Sequence, residues 1–224
     1  MSLKKMLENW LPGRDLAARH DPYFVQHVRV SPALRGMNRV EVFSRICGGR
    51  SVLHVGCADW PITDPCNSLH VQLDVVCARL DGIDLHQEAL DLLKPHSRGR
   101  LTCNWNEVPG PYDLMLVPEV LEHVGNVEGF LKTLDAVDAG GVVLTVPDAY
   151  QCHPNHFGYD SAAESFVEAV HPDHNCWFTP YTLANTIRKY TNWRLEGIWF
   201  FNKISLLAVV TRDAERLGRP IVLP

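Results

Sequence analysis

Two short apolar runs decide the fold class of this chain: Ser51-Val52-Leu53-His54-Val55-Gly56-Cys57-Ala58 and Leu80-Asp81-Gly82-Ile83-Asp84. Each run has the length and composition of a buried strand, and residues 67–79 between them have a helical pattern. Strand, helix and strand in this order predict a parallel pair of strands. The carboxyl ends of such strands lie at one edge of the sheet, which is where open α/β sheets bind their ligands.

The alternation of strands and helices continues along the chain. Residues 119–137 are predicted to be one helix with a break at Gly125-Asn126, and a helix at 180–190 is followed directly by two β-rich runs at 193–200 and 203–211. The other predicted strands lie at 101–103, 112–117 and 141–146, and the other helices at 33–47 and 86–94. This order predicts an α/β fold, a mostly parallel sheet with helices on both faces and an antiparallel strand added at the end.

Composition and length limit the possible partners. The 224 residues suit one domain, and the net charge of −5 comes without a basic stripe, which argues against nucleic acid. No apolar run is long enough for a membrane span, and residues 1–11 lack the pattern of a signal peptide. The seven cysteines are odd in number and form no CxxC, as in proteins of a reducing compartment. We therefore expect a soluble cytoplasmic protein with a small-molecule partner and no membrane partner; its oligomeric state stays open.

The expected organisation is an N-terminal helical extension at 1–49, a main domain at 50–212 and a tail at 213–224. The apolar spacing at 3–11 predicts a helix that either packs on the core or covers the active site as a lid. Residues 151–178 form a long insertion rich in histidine and aromatic residues, which we expect to shape the site of a second ligand.

Two residues at the predicted strand ends suit a nucleoside. Gly56 would let the backbone approach a ligand closely, because it has no Cβ. Asp84 could accept hydrogen bonds from both hydroxyls of a ribose, although it could equally cap the following helix. The loop keeps only one glycine of the G-x-G-x-x-G pattern, which argues against a nicotinamide-dependent oxidoreductase.

Four segments together resemble class I S-adenosylmethionine-dependent methyltransferases of the bacterial type 11/12 branch: residues 52–58, 82–84, 112–124 and 139–147. The resemblance covers about residues 50–210 and implies a Rossmann-like fold, a seven-stranded sheet with its last strand antiparallel, and S-adenosylmethionine as methyl donor. By this resemblance the cofactor-binding residues are Gly56, Cys57, Ala58, Asp84, Leu85, Asn104, Trp105 and Pro118.

The chain departs from that family in its first motif. The family usually has an acid at the position of His54, and glycines at the positions of Ala58 and Asp59. The acid normally helps to hold the methionine part of the cofactor. These departures keep open a second possibility, a methyltransferase fold that binds a partner without catalysis.

A Glu-x-x-Glu-His element follows the fourth predicted strand and is formed by Glu119, Glu122 and His123. Together with His174 it resembles small-RNA terminal-ribose methyltransferases, in which two glutamates and two histidines hold a divalent ion. The resemblance implies a metal at Glu119, Glu122, His123 and His174, and the spacing of three predicts that the two glutamates share one helical face. Without a metal, His123 would be the general base, oriented by Glu122.

These features predict an O-methyltransferase. The expected acceptor is a hydroxyl of a small molecule, such as a sugar, a glycan intermediate or a secondary metabolite, because rings in the insertion can stack on sugar faces. An RNA ribose is the alternative that the metal element allows.

Overall fold

The computed structural model describes residues 12–58 and 64–224, with side chains from residue 16 onward. The helix predicted at 3–11 therefore lies outside the described residues. The first described helix is α1 (Pro12–Arg19). Within the described ranges, no helix is both long enough and apolar enough to cross a membrane. None of the seven cysteines, all of which are described, is in a disulfide.

Seven strands form one sheet in the order β3-β2-β1-β4-β5-β9-β8. Neighbours from β3 to β5 pair in parallel, whereas β9 is antiparallel to both β5 and β8. This confirms the predicted mostly parallel sheet with its last strand antiparallel. The strands are β1 (Ser51–Val55), β2 (Arg79–Ile83), β3 (Leu101–Thr102), β4 (Tyr112–Pro118), β5 (Ala139–Pro147), β8 (Arg194–Phe201) and β9 (Ser205–Thr211).

Helices cover both faces of the sheet, and every residue of β5 and β9 is consequently buried. The predicted helix at 33–47 begins only at Arg39, because the Asn38 side chain accepts hydrogen bonds from the amides of Val40 and Glu41 and so caps it there. The remaining helices are α2 (Arg39–Cys47), α3 (Leu69–Asp74), α4 (Gln87–Leu93), α5 (Val127–Ala136), α6 (Ala149–His156), α7 (Pro180–Tyr190) and α8 (Ala214–Leu217).

The segment between β5 and α7 stands outside the main sheet. Helix α6 is followed by an antiparallel hairpin of β6 (Phe157–Asp160) and β7 (Ser165–Glu168). The hairpin pairs only with itself and is mostly exposed. The long insertion predicted from sequence is thus an ordered unit with its own secondary structure.

The C-terminal residues are fixed to the domain by Arg50, which is only 4% exposed. Its guanidinium donates to the carbonyl oxygens of Ile46 (2.9 Å), Leu217 (2.7 Å) and Arg219 (2.8 Å). A buried cation is tolerated here because its N–H groups donate to these carbonyl oxygens.

We therefore expect Arg50→Met to lower the free energy of unfolding by about 2–4 kcal/mol, since three charge-assisted hydrogen bonds to carbonyl oxygens are lost. Chemical denaturation monitored by circular dichroism measures the change. The matched control is Arg45→Met, which removes an exposed ion pair with Glu41 and should cost no more than about 0.5 kcal/mol. Equal losses in the two variants would contradict the anchoring role.

Candidate cofactor and acceptor site

The loop after β1 makes a turn that requires glycine. Gly56 has a φ of 72°, and its amide donates to the carbonyl of Ile83 over 2.8 Å. A Cβ at this position would lie 2.6 Å from Cγ2 of Val120. The turn therefore brings the loops that follow β1, β2 and β4 together at one edge of the sheet.

Asp84 ties the second of these loops to the first. Its Oδ2 accepts from the amide of Ala58 at 3.0 Å, and its Oδ1 accepts from the amide of His86 at 3.0 Å. Nδ1 of His86 also lies 3.1 Å from Oδ1, and the Asp84 side chain is 10% exposed. A carboxylate has about four acceptor positions, and the ribose role predicted for Asp84 is compatible with these contacts.

The other predicted cofactor residues lie at the same edge. Pro118 is the buried last residue of β4, and Leu85 is 85% exposed directly after Asp84. The side chain of Asn104 accepts from the amide of Asn106 at 3.1 Å and caps a short 3-10 turn. Trp105 in that turn packs edge-on against Phe130, with 6.4 Å between ring centroids. Cys57 is buried against Gly82, where a Cβ would lie 2.6 Å from its sulfur.

His54 stands where the family that this chain resembles has an acid. Its side chain faces the inside of the domain. Its Nδ1 lies 3.2 Å from Nδ1 of His70, and the two rings are stacked. Nε2 of His70 lies 3.1 Å from the Ser97 hydroxyl. Burial lowers the pKa of His54 well below its usual range and the pKa of His70 to about 4. Asp59, the other departure, lies outside the described residues.

Because both imidazoles are neutral in the fold, their contribution to stability is lost as pH falls from the unfolded value near 6.5 toward 4. We expect the double variant His54→Val/His70→Leu to lose on the order of 4 kcal/mol less stability than the parent between pH 7 and pH 5, about 2 kcal/mol for each histidine. Urea denaturation at the two pH values measures this, with the exposed His20→Leu as control. If the variant and the parent lose the same stability between the two pH values, the two histidines titrate normally in the fold.

The helix predicted at 119–137 is wrong at its start, because the chain directly after β4 is not helical. Glu119 has a φ of 51°, and a short 3-10 turn at Leu121–His123 follows before α5 begins at Val127. The Glu119 amide donates to the carbonyl of Thr145 at 3.0 Å, which continues the pairing of β4 with β5. Glu119 and Glu122 therefore do not share a helical face.

The Glu119 carboxylate is turned toward β5 and β9. Burial raises the pKa of Glu119, and the nearby hydroxyls of Thr145 and Ser205 partly offset this effect. Its charge is close enough to Glu122 to raise the pKa of that residue.

Glu122 is fully buried, and neither of its carboxylate oxygens has a hydrogen-bond partner among the described residues. Its Oε1 lies 4.0 Å from Nε2 of His123 and 4.0 Å from Nε2 of His174. Burial raises its pKa to about 9, with a further contribution from the charge of Glu119. A buried acid with no donor is costly to the fold, which is a signature of a functional group.

A cluster of three histidines lies beside this acid, and His123 and His174 are its members next to Glu122. Ligand nitrogens of His123, His171 and His174 all lie within 4.8 Å of one another. The ring centroids of His123 and His174 are 4.6 Å apart, and Nδ1 of His174 is buried with no hydrogen-bond partner in the described part of the chain. Burial and the charges of the two neighbouring histidines lower the pKa of His174 to about 4, so it is a neutral ligand near pH 7.

Asn175 explains how two distant segments form this cluster. Its amide donates to the Glu122 carbonyl, and its side chain donates to the His123 carbonyl, each over 2.8 Å. These two bonds fix the segment that carries His171 and His174 against the 3-10 turn. Among the four residues predicted to bind metal, the structure thus brings together Glu122, His123 and His174, and it adds His171 rather than Glu119.

The sequence analysis missed His171 as a member of this group. Its His-x-x-His spacing with His174 was the available signal. The Glu122 carboxylate and the three imidazoles form a donor set that fits a borderline first-row divalent ion. The unpartnered oxygens of Glu122 and the free Nδ1 of His174 fit the same role, because a metal would satisfy such groups.

No protein-family model and no curated protein sequence matches the chain, but solved structures do. An S-adenosylmethionine-dependent methyltransferase from Mesorhizobium loti is 16% identical, with a TM-score of 0.50 over 77% of this chain and 95% of that one. A methyltransferase from Aquifex aeolicus is 12% identical, with a TM-score of 0.53 over 77% and 87%. The methyltransferase domain of a bacterial Hen1 is 19% identical, with a TM-score of 0.52 over 77% and 95%. The chain therefore has the class I methyltransferase fold.

Proposed function

We propose that this class I methyltransferase fold transfers the methyl group of S-adenosylmethionine to a hydroxyl of a small, sugar-like acceptor, with the assistance of a divalent metal. The observation that carries the proposal is the fully buried, unpartnered carboxylate of Glu122 beside three histidines. Glu122 and His123 lie in the 3-10 turn after β4, next to the loop of Gly56, where the family that the chain resembles binds the cofactor.

The cofactor would occupy the edge formed by the loops after β1, β2 and β3. In this position Asp84 would bind the ribose hydroxyls, Gly56 would lie against the methionine part, and Asn104 and Trp105 would contact the adenine. These residues are supplied by three neighbouring strands, so their relative position is set by the rigid sheet.

A metal would be held by Glu122, His123 and His174, with His171 as a further ligand. When bound, the ion would lower the pKa of an acceptor hydroxyl and fix its direction toward the methyl group. The lowered pKa values of His123 and His174 keep these side chains neutral and ready to bind an ion. If no metal is used, neutral His123 is the group able to accept the hydroxyl proton, with Glu122 beside it.

We expect Asp84→Ala to weaken the binding of S-adenosylmethionine by more than tenfold, because charge-assisted hydrogen bonds are lost, at a cost of roughly 2–4 kcal/mol. Isothermal titration calorimetry measures the affinity, and circular dichroism checks the fold. The exposed Asp91→Ala is the matched control on helix α4. An unchanged affinity in Asp84→Ala would remove the cofactor assignment.

For the metal, we expect the purified protein to bind about one equivalent of a divalent first-row ion. The variants Glu122→Gln and His174→Ala should lose this ion, whereas Asp173→Asn, whose side chain is 79% exposed, should keep it. Elemental analysis after dialysis gives the metal content independently of any activity. Chelation should abolish methyl transfer, and added metal should restore it.

The variant Glu119→Gln decides whether this residue is a ligand, as the resemblance implies. Loss of the ion would support that role, and retention would leave the carboxylate as a partner of Thr145 and Ser205. Full methyl transfer after exhaustive chelation would contradict the metal and leave the Glu122–His123 pair as the catalytic candidate.

A further inference from the structure

The hairpin of β6 and β7 exposes aromatic side chains that no part of the described domain covers. Tyr159 and Phe166 are cross-strand partners and are 66% and 61% exposed. Cross-strand partners point to the same face of a hairpin, so the two rings form one apolar surface. An exposed aromatic surface of this kind is usually a site of binding.

The surface is continuous with the histidine cluster. The ring of Phe157 lies 6.1 Å from that of Phe166 and 5.0 Å from that of Trp177, and Trp177 lies 6.4 Å from His174. The indole of Trp177 donates a hydrogen bond to the carboxylate of Glu168, which ties it to the hairpin. We call the row Trp177, Phe157, Phe166 and Tyr159 the aromatic strip.

The charges of the segment that carries the strip argue against phosphate-bearing polymers as its ligands. Residues 149–178 contain no lysine and no arginine. They contain four acids instead: Asp160, Glu164, Glu168 and Asp173. Binding of a nucleic acid or an anionic membrane surface depends on cations that neutralise phosphates, and none is supplied by this segment.

Aromatic rings and carboxylates without cations suit uncharged carbohydrate. The C–H faces of sugars pack on aromatic rings, and their hydroxyls donate to carboxylates. Phe157 and Tyr159 lie two residues apart along β6, about 7 Å by strand geometry, which is comparable to the length of one sugar unit. The strip is thus long enough to bind further sugar units beyond the one that would occupy the histidine cluster.

We propose that the aromatic strip is an extended subsite for a neutral oligosaccharide. Its methyl-accepting terminal residue lies at the histidine cluster, and the following residues stack on Trp177, Phe157, Phe166 and Tyr159. This inference rests on the proposed function, and it specifies the acceptor as a chain of sugars rather than a monosaccharide. The hairpin then selects the acceptor, whereas the cluster activates its hydroxyl.

The test is a carbohydrate array probed with the labelled full-length protein. The array carries neutral mono- to hexasaccharides, sulfated and uronic acid oligosaccharides, and RNA oligonucleotides. We expect binding to neutral oligosaccharides of two or more residues, and a loss of at least tenfold in the variant Tyr159→Ala/Phe166→Ala. Both side chains are exposed, so the fold should persist. The control Tyr23→Ala removes an equally exposed tyrosine outside the hairpin (79% exposed) and should bind as the parent does.

Absence of binding to every neutral oligosaccharide would overturn the inference, as would preferred binding to RNA or to anionic sugars. Unchanged binding in the double variant would overturn it as well. The double variant should keep the parent's affinity for S-adenosylmethionine and its metal content. If the parent neither binds S-adenosylmethionine nor contains the metal, the proposed function itself fails. If it does both but binds no oligosaccharide, only the inference about the aromatic strip is wrong.

Discussion

The pairing of β4 with β5 determines where the candidate site lies. The strands pair in parallel from Tyr112 with Ala139 to Pro118 with Thr145, and the Glu119 amide then donates to the Thr145 carbonyl. This last bond extends the ladder by one residue and forces the chain into a left-handed conformation before the 3-10 turn. Glu122 and His123 are consequently presented at the carboxyl edge of the sheet, beside the loop of Gly56, rather than on the side of a helix.

Glu122 shows the balance between stability and function in this fold. Its carboxylate is buried without a donor, and its raised pKa means that ionisation destabilises the metal-free protein as pH rises from the ordinary range of a glutamate toward 9. A protein gains nothing in stability from such a group. Its position beside the histidine cluster is understandable if a cation occupies the cluster, because a cation would favour the ionised form.

The segment between β5 and α7 carries both the aromatic strip and two histidines of the cluster. Asn175 holds the part with His171 and His174 against the turn after β4, and Trp177 connects the same part to the hairpin. The proposed metal ligands and the proposed acceptor surface are thus fixed by the same few hydrogen bonds. The acidic character of this segment argues for an uncharged acceptor, even though one solved structure with this fold belongs to a bacterial Hen1.

The sequence by itself determined the sheet, because buried parallel strands are continuous apolar runs that need no partner information to be recognised: β1, β4 and β5 lie where the pattern predicts them. It also singled out Gly56 and Asp84, which directly follow strands, and Glu122 and His123, which belong to the Glu-x-x-Glu-His element; the roles of all four stay predictions. Only the tertiary structure decided the rest. Glu119 is not helical because β5 competes for its amide, and His54 pairs with His70 because α3 packs over β1. His171 meets His123 across 48 positions through Asn175, and a contact of that kind leaves no local periodicity in a sequence.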